Sequence, residues 1–137
     1  VKKFLVSNGL SYRMVEYGGY SEDGFKQLVN SAKFCFLING TESQGIAVQE
    51  IMSMGVPIIA WDIKEWLDQG EADRVPATSS PYWDERCGEV FFSKDELEET
   101  FSKFYATINE YDPKSFIRDN LSFSKTVEQL MEIFNAD

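Results

Sequence analysis

The chain has 137 residues, with 13 Lys and Arg against 23 Asp and Glu, a net charge of −10 and no His. That balance argues against nucleic acid or an anionic membrane surface as a general partner, and the lack of His removes the usual general base and the usual zinc ligand. A chain of this length is expected to fold as one domain burying roughly two-thirds of its unfolded surface, and it holds no apolar run near the roughly 20 residues a bilayer span requires.

In chain order, Val1 to Asn8 sets Val1, Phe4 and Leu5 on one face and stops at Asn8-Gly9, which predicts a short helix, with a strand as the alternative. Because the chain starts at Val1 rather than Met, it is expected to be a piece of something longer. Tyr12 to Gly18 alternates and carries Met14, Val15 and Tyr17, predicting a strand that ends at Gly18-Gly19. Ser21-Glu22-Asp23 is a cap with acids in the first turn, opening a helix with Phe25, Leu28, Val29 and Ala32 inward. Phe34 to Ile38 is wholly apolar, as a parallel strand covered on both faces should be.

Thr41 to Asp62 reads as loop, helix, sharp stop and buried strand. Gly45 permits a tight entry, Ile46 to Met54 holds no breaker, and Gly55 followed by Pro57 ends the helix. Pro57 to Trp61 is then a short apolar strand. Glu42 lies in the loop before the helix and Glu50 about one turn inside it. Helical side chains lean toward the N-terminus, so Glu50 is expected to point toward the mouth that Glu42 borders. Two carboxylates beside free helix amides suit a sugar diol and a phosphate, respectively. The alternative is that Glu42 merely complements the helix dipole and Glu50 is a solvated surface residue.

Ile63 to Cys87 is the least regular stretch, with Pro76, Pro81, the polar run Thr78-Ser79-Ser80 and the pair Tyr82-Trp83. It reads either as a surface loop or as a lip over a ligand cleft, in which Asp62, Trp83 and Arg86 touch the ligand. Gly88 to Phe92 is a last short strand. Ser93-Lys94-Asp95-Glu96 is a capping box that starts a helix with Leu97, Phe101, Phe104 and Ile108 inward. Asp112-Pro113 opens another with Phe116 and Ile117 buried, and Leu121 to Phe134 carries Val127, Leu130, Met131 and Phe134 along one stripe expected to be core. Cys35 and Cys87 have neither metal-ligand spacing nor the pattern of a disulfide framework, which fits a reduced, cytoplasmic setting. Alternating helices and short apolar strands predict an α/β fold with a parallel sheet, whose ligands bind beyond the carboxyl ends of the strands.

The run E-S-Q-G-I-A-V-Q-E-I-M-S-M-G-V-P-I-I-A, Glu42 to Ala60, resembles the E-x(7)-E signature of retaining GT-B glycosyltransferases of the family 4-like type, often written E-G-F-G-x-x-x-x-E-A-M-A-x-G-x-P-V-I-A. Both acids, the Gly before the helix, the Met and the Gly-x-Pro fall in register, whereas the family's second flexible Gly is replaced by Ile46 or Ala47. The resemblance implies a three-layer Rossmann-like domain over residues 1–137, the C-terminal, donor-binding half of a GT-B fold with its first strand missing. It implies that Glu42 faces the transferred sugar as the catalytic acid residue and that Glu50 holds the ribose hydroxyls. The amides of Gly45, Ile46 and Ala47 would meet the pyrophosphate or sugar, Ser43 and Gln44 would belong to the donor loop, and Gly19 and Tyr20 would border the base.

A nucleotide-sugar is then the partner, with no cofactor and no metal expected, as in enzymes of this kind and in the absence of an Asp-x-Asp motif. The family's phosphate-binding Arg and Lys would precede Val1, together with an N-terminal GT-B domain of the same polypeptide. On this reading the fragment alone has little or no activity. A GT-B nucleotide-sugar epimerase and a non-catalytic α/β interaction module are the alternatives.

Overall fold

A computed structural model describes residues 1–16, 18–40, 42–66 and 75–135. The chain divides into two compact units, Val1–Ala32 and Lys33–Asp137.

The first unit holds helices α1, Lys2–Ser7, and α2, Glu22–Ser31. α1 buries Leu5 and ends where Asn8-Gly9 predicts. There the Gly9 and Leu10 amides donate to the carbonyls of Val6 and Leu5, both at 3.0 Å, the bond pair that closes a Schellman turn. α2 begins at Ser21, whose side chain accepts from the Gly24 amide, carries Glu22 and Asp23 in its first turn and buries Phe25 and Val29. Leu28 is half-buried and Ala32, expected inward, is exposed. The expected strand from Tyr12 is not formed: 12–16 lie outside any strand, and Tyr12, Met14 and Val15 are exposed. Alternation alone makes no ladder; without a partner to satisfy its N–H and C=O groups the segment gains nothing by being extended. Tyr17, the remaining apolar member of that alternation, lies outside the described residues.

In the second unit a parallel sheet is built from β1, Cys35–Ile38, β2, Ile58–Trp61, and β5, Gly88–Phe91, with β2 in the middle. Cys35 pairs with Ile58 and Ile58 with Gly88, and the register runs on to Ile38, Trp61 and Phe91. Ile58, Ile59 and Ala60 are wholly buried, the expected signature of a central strand. β1 departs from the expectation of cover on both faces: it is half-buried, and Ile38 is 60% exposed. Gly88 is required by close approach, since a Cβ there would fall on the carbonyl oxygen of Ile58. Between the larger strands, β3, Glu65–Trp66, pairs antiparallel with β4, Val75–Pro76, a small ribbon within the stretch that reads as irregular from sequence.

Helix α3, Ile46–Ser53, sits between β1 and β2 in sequence and buries Val48, Ile51 and Met52. It stops at Gly55, φ +82°, where the amides of Gly55 and Val56 donate to the carbonyls of Met52 and Ile51 at 2.9 and 3.3 Å. After β5 the predicted capping box is only half realised. Glu96 accepts from the Phe92 amide and the Ser93 hydroxyl, but the first turn, Lys94–Glu96, is a 3₁₀ turn without a side-chain cap from Ser93. Helix α4, Leu97–Ala106, follows, packing on β5 with Leu97, Phe101 and Phe104 inward, as predicted. Phe34 meets the rings of Phe101, Phe104 and Tyr105, and Phe91 meets those of Phe36 and Trp61.

α5, Pro113–Asn120, is capped by Asp112 and buries Phe116 against the side of the unit where α3 lies. α6, Phe123–Phe134, contradicts its expectation. It is a full helix with a Ser122 cap, yet none of its residues is buried; Leu130 is 49%, Met131 52% and Phe134 69% exposed. Among the described residues no helix is long and apolar enough to cross a membrane.

Candidate functional site

The carboxyl ends of β1 and β2 open onto the loop that enters α3. After β1 the chain turns at Asn39, whose side-chain oxygen accepts the Gly40 amide at 2.9 Å and whose side-chain amide donates to the Glu42 carboxylate. Glu42 is half-buried, and its own amide donates to the Thr78 carbonyl at 3.1 Å. Glu42 is therefore held at both its backbone and its side chain.

Gly45 is the N-cap of α3 in the left-handed conformation, φ +63°, where any other L-residue would cost roughly 1–2 kcal/mol. A Cβ there would also touch the Pro81 ring, 3.5 Å away. The Gly45 carbonyl accepts from the Gln49 amide at 2.9 Å, and no side chain caps the first turn. The amides of Ile46, Ala47 and Val48 are thus the orphan donors of a helix N-terminus. Ile46 is 68% exposed, so this end of the helix faces open space. Ala47 is half-buried, while Ser43 and Gln44 are exposed. Gln44 is nonetheless tied down, its carbonyl accepting from the Gln49 side chain at 2.6 Å and its side-chain oxygen lying 3.4 Å from the Tyr82 hydroxyl.

Glu50 lies in the second turn of α3, exposed, and no hydrogen bond or ion pair joins its carboxylate to Glu42 or to any other described residue. The structure brings Glu42, Gln44 and Gly45 together at the entry to α3 and leaves Glu50, one turn on, with a carboxylate that no other described residue engages. Gly19 and Tyr20 belong to the first unit. There the Gly19 amide donates to the Glu16 carbonyl at 2.9 Å, and Tyr20 stacks on Phe25 at 5.0 Å between centroids.

Beneath this loop lies a brace that the residue pattern did not announce. Asp62, one step beyond β2, is buried. Its Oδ1 accepts from the Ile63 amide at 2.8 Å, the Ser79 amide at 2.6 Å and the Ser79 hydroxyl at 2.9 Å. The Thr78 hydroxyl lies 2.9 and 2.8 Å from its two oxygens, and in turn accepts the Ser80 amide at 2.9 Å. A buried carboxylate is tolerable when donors surround it in this way. Ser80, also buried, has a hydroxyl without a hydrogen-bond partner among the described residues. The polar run Thr78-Ser79-Ser80 between two prolines was the available signal; its target, sixteen residues back, was not readable locally.

Arg86, read from sequence as a ligand contact, is committed inside the fold. Its guanidinium meets Asp84 at 2.7 Å and Asp119 at 2.9 Å, lies 5.5 Å from the centre of the Phe116 ring, and so fastens the loop before β5 to α5. Hydrogen bonding from Arg86 is the leading cause that holds the Asp84 carboxyl below its ordinary range. Trp83 is half-buried beside this clamp. Burial pushes the Cys35 thiol up to about 12 and the Cys87 thiol up to about 11, which disfavours the thiolate of both at neutral pH. Among the described residues no group of His, Cys, Asp and Glu is arranged to hold a metal ion.

Compared with protein-family models, with curated proteins and with solved structures, the chain matches none.

Proposed function

We propose that this chain is the donor-binding domain of a retaining GT-B-type glycosyltransferase, a three-layer Rossmann-like unit that takes a nucleotide-sugar at the N-terminus of α3. The observation that carries the reading is the uncapped first turn of α3, entered through a left-handed Gly45 and bordered by a doubly anchored Glu42. Orphan amides at a helix N-terminus favour an anion such as a pyrophosphate. The carboxylate of Glu50, exposed and free among the described residues, suits a diol, at roughly 1.5–3 kcal/mol per charged hydrogen bond. In this role Glu42 faces the transferred sugar, Gly45, Ile46 and Ala47 receive the phosphates, and Ser43 and Gln44 line the loop. Catalysis then rests on positioning and charge stabilisation rather than a side-chain base. Transfer to an acceptor also calls for an N-terminal GT-B domain, so this domain by itself binds donor without turnover.

Amide NMR of labelled protein titrated with UDP, GDP, ADP and their sugars tests the reading. The expected result is shifts centred on Gly45–Glu50 for one base, with affinity reduced at least about tenfold in Glu50→Gln. Epimerised sugar formed without acceptor would assign the same site to an epimerase. No shift for any nucleotide, in this chain and in one extended to two domains, would remove the donor site.

A further inference from the structure

Besides the bonds from Asn39 and Gln49, three contacts on the loop that carries Glu42 and Gln44 come from one distant segment. The Thr78 carbonyl takes the Glu42 amide at 3.1 Å, the Pro81 ring lies where a Cβ on Gly45 would meet it at 3.5 Å, and the Tyr82 hydroxyl reaches Gln44 at 3.4 Å. The segment from Thr78 to Tyr82 is itself fixed by Asp62, through the Ser79 amide at 2.6 Å and the Thr78 and Ser79 hydroxyls. Asp62 in turn follows directly on β2, and its amide donates to the Phe91 carbonyl of β5 at 2.8 Å. A continuous chain of contacts therefore runs from the rigid centre of the sheet, through one buried carboxylate, to the backbone beside the mouth of α3.

We infer that Asp62 is a positioning residue for the mouth of α3, setting the place of Glu42 and the Gln44–Gly45 turn by holding the Thr78–Tyr82 segment against them. The inference rests on the donor-site reading for its functional meaning, and on geometry alone for the coupling itself. A carboxylate suits this point because every group that converges on it is a donor, whereas an Asn would set a donor NH₂ against the Thr78 hydroxyl that donates to Oδ2. Asp62 touches no ligand in this role. It acts through the backbone of Thr78 and the ring of Pro81.

Asp62→Asn, Thr78→Val and Thr78→Ser separate this role from simple stability, each compared with the parent by amide hydrogen exchange and by the nucleotide-sugar titration. Protection of the Glu42 amide is expected to fall at least about tenfold in Asp62→Asn and Thr78→Val while the amides of β1, β2 and β5 keep theirs. The resonances of Gln44–Val48 should move with it. Thr78→Ser, which keeps the hydroxyl, should restore the parent pattern. If Asp62→Asn does not fold, Thr78→Val against Thr78→Ser decides. Unchanged Glu42 protection and unmoved Gln44–Val48 resonances in the folded variants would overturn the inference. Where the parent binds a nucleotide-sugar, its affinity should weaken at least about tenfold in Thr78→Val and recover in Thr78→Ser; affinity unchanged there would equally overturn it. A parent that binds no nucleotide strikes the donor reading alone, because the amide exchange still supports or overturns the coupling.

Discussion

α3 and α6 present comparable apolar stripes, and only one of them is covered. On α3, Val48, Ile51 and Met52 are buried, with Met52 at 0% exposure, and the helix packs beside α5. On α6, Val127, Leu130, Met131 and Phe134 keep helical spacing and a good Ser122 cap, yet all are 40% exposed or more. Periodicity states which face of a helix is apolar; it does not supply the surface that covers it. α3 is delivered to its cover by short connections, since Gly55 and Pro57 turn the chain straight into β2. α6 comes last, after α5 has already taken the place beside α3, and the described chain has no further element to lay on it.

The largest effect expected from this contrast is at Met52. Met52→Ala should destabilise the protein by about 2–5 kcal/mol, the range for emptying a rigid core site, read from the midpoint of urea unfolding at constant slope. A loss below about 1 kcal/mol would mean that the α3 face is not closely packed and that the contrast with α6 is smaller than its geometry.

An intermediate effect belongs to the clamp that carries α5 to its position. The Asp84 and Asp119 carboxyls are both held below their ordinary range, Asp84 chiefly by Arg86 and Asp119 by Arg118 and then Arg86. A carboxylate with a depressed folded-state pKa contributes stability that is complete above the unfolded value near 3.9 and is lost as pH falls through the folded value. Unfolding measured from pH 7 downward should therefore show a constant contribution to about pH 5 and a decline below about pH 4. Asp84→Asn should lower neutral-pH stability by under about 1 kcal/mol and flatten that acid limb. An unchanged acid limb would mean that Asp84 is not paired in solution.

Much of the candidate site was legible because its determinants are close together in sequence. Gly45 with its positive φ, the Gly55 stop and Pro57 define α3 within thirteen residues, each through a backbone rule rather than a contact. β2 was legible as a continuous apolar run bounded by Pro57 and Asp62. What could not be read joins distant residues. Asp62 meets Thr78 and Ser79 across the β3–β4 ribbon, and Arg86 meets Asp119 on α5, so in the sequence both resembled free polar groups at a cleft. The strand expected from Tyr12 failed for the same reason in reverse. Its side-chain alternation is local, but a strand is a relation to a partner, and 12–16 have none among the described strands. The half-exposed β1 and the bare α6 stripe show the same limit for burial.

The smallest effect is the most informative about α6. Leu130→Ala removes apolar atoms that are already half in water and replaces Leu with the best helix former, so the expected change in stability is within about 0.5 kcal/mol of zero. The value should not depend on protein concentration. A loss above about 1.5 kcal/mol would mean that the stripe is covered in solution, and repeating the unfolding at two protein concentrations would say by what: a midpoint that rises with concentration requires a second copy of the chain, whereas a constant one requires cover from within the same molecule. With Met52→Ala as its counterpart, the substitution compares the same kind of side chain on two helices of one unit, so that the difference between them measures cover and little else.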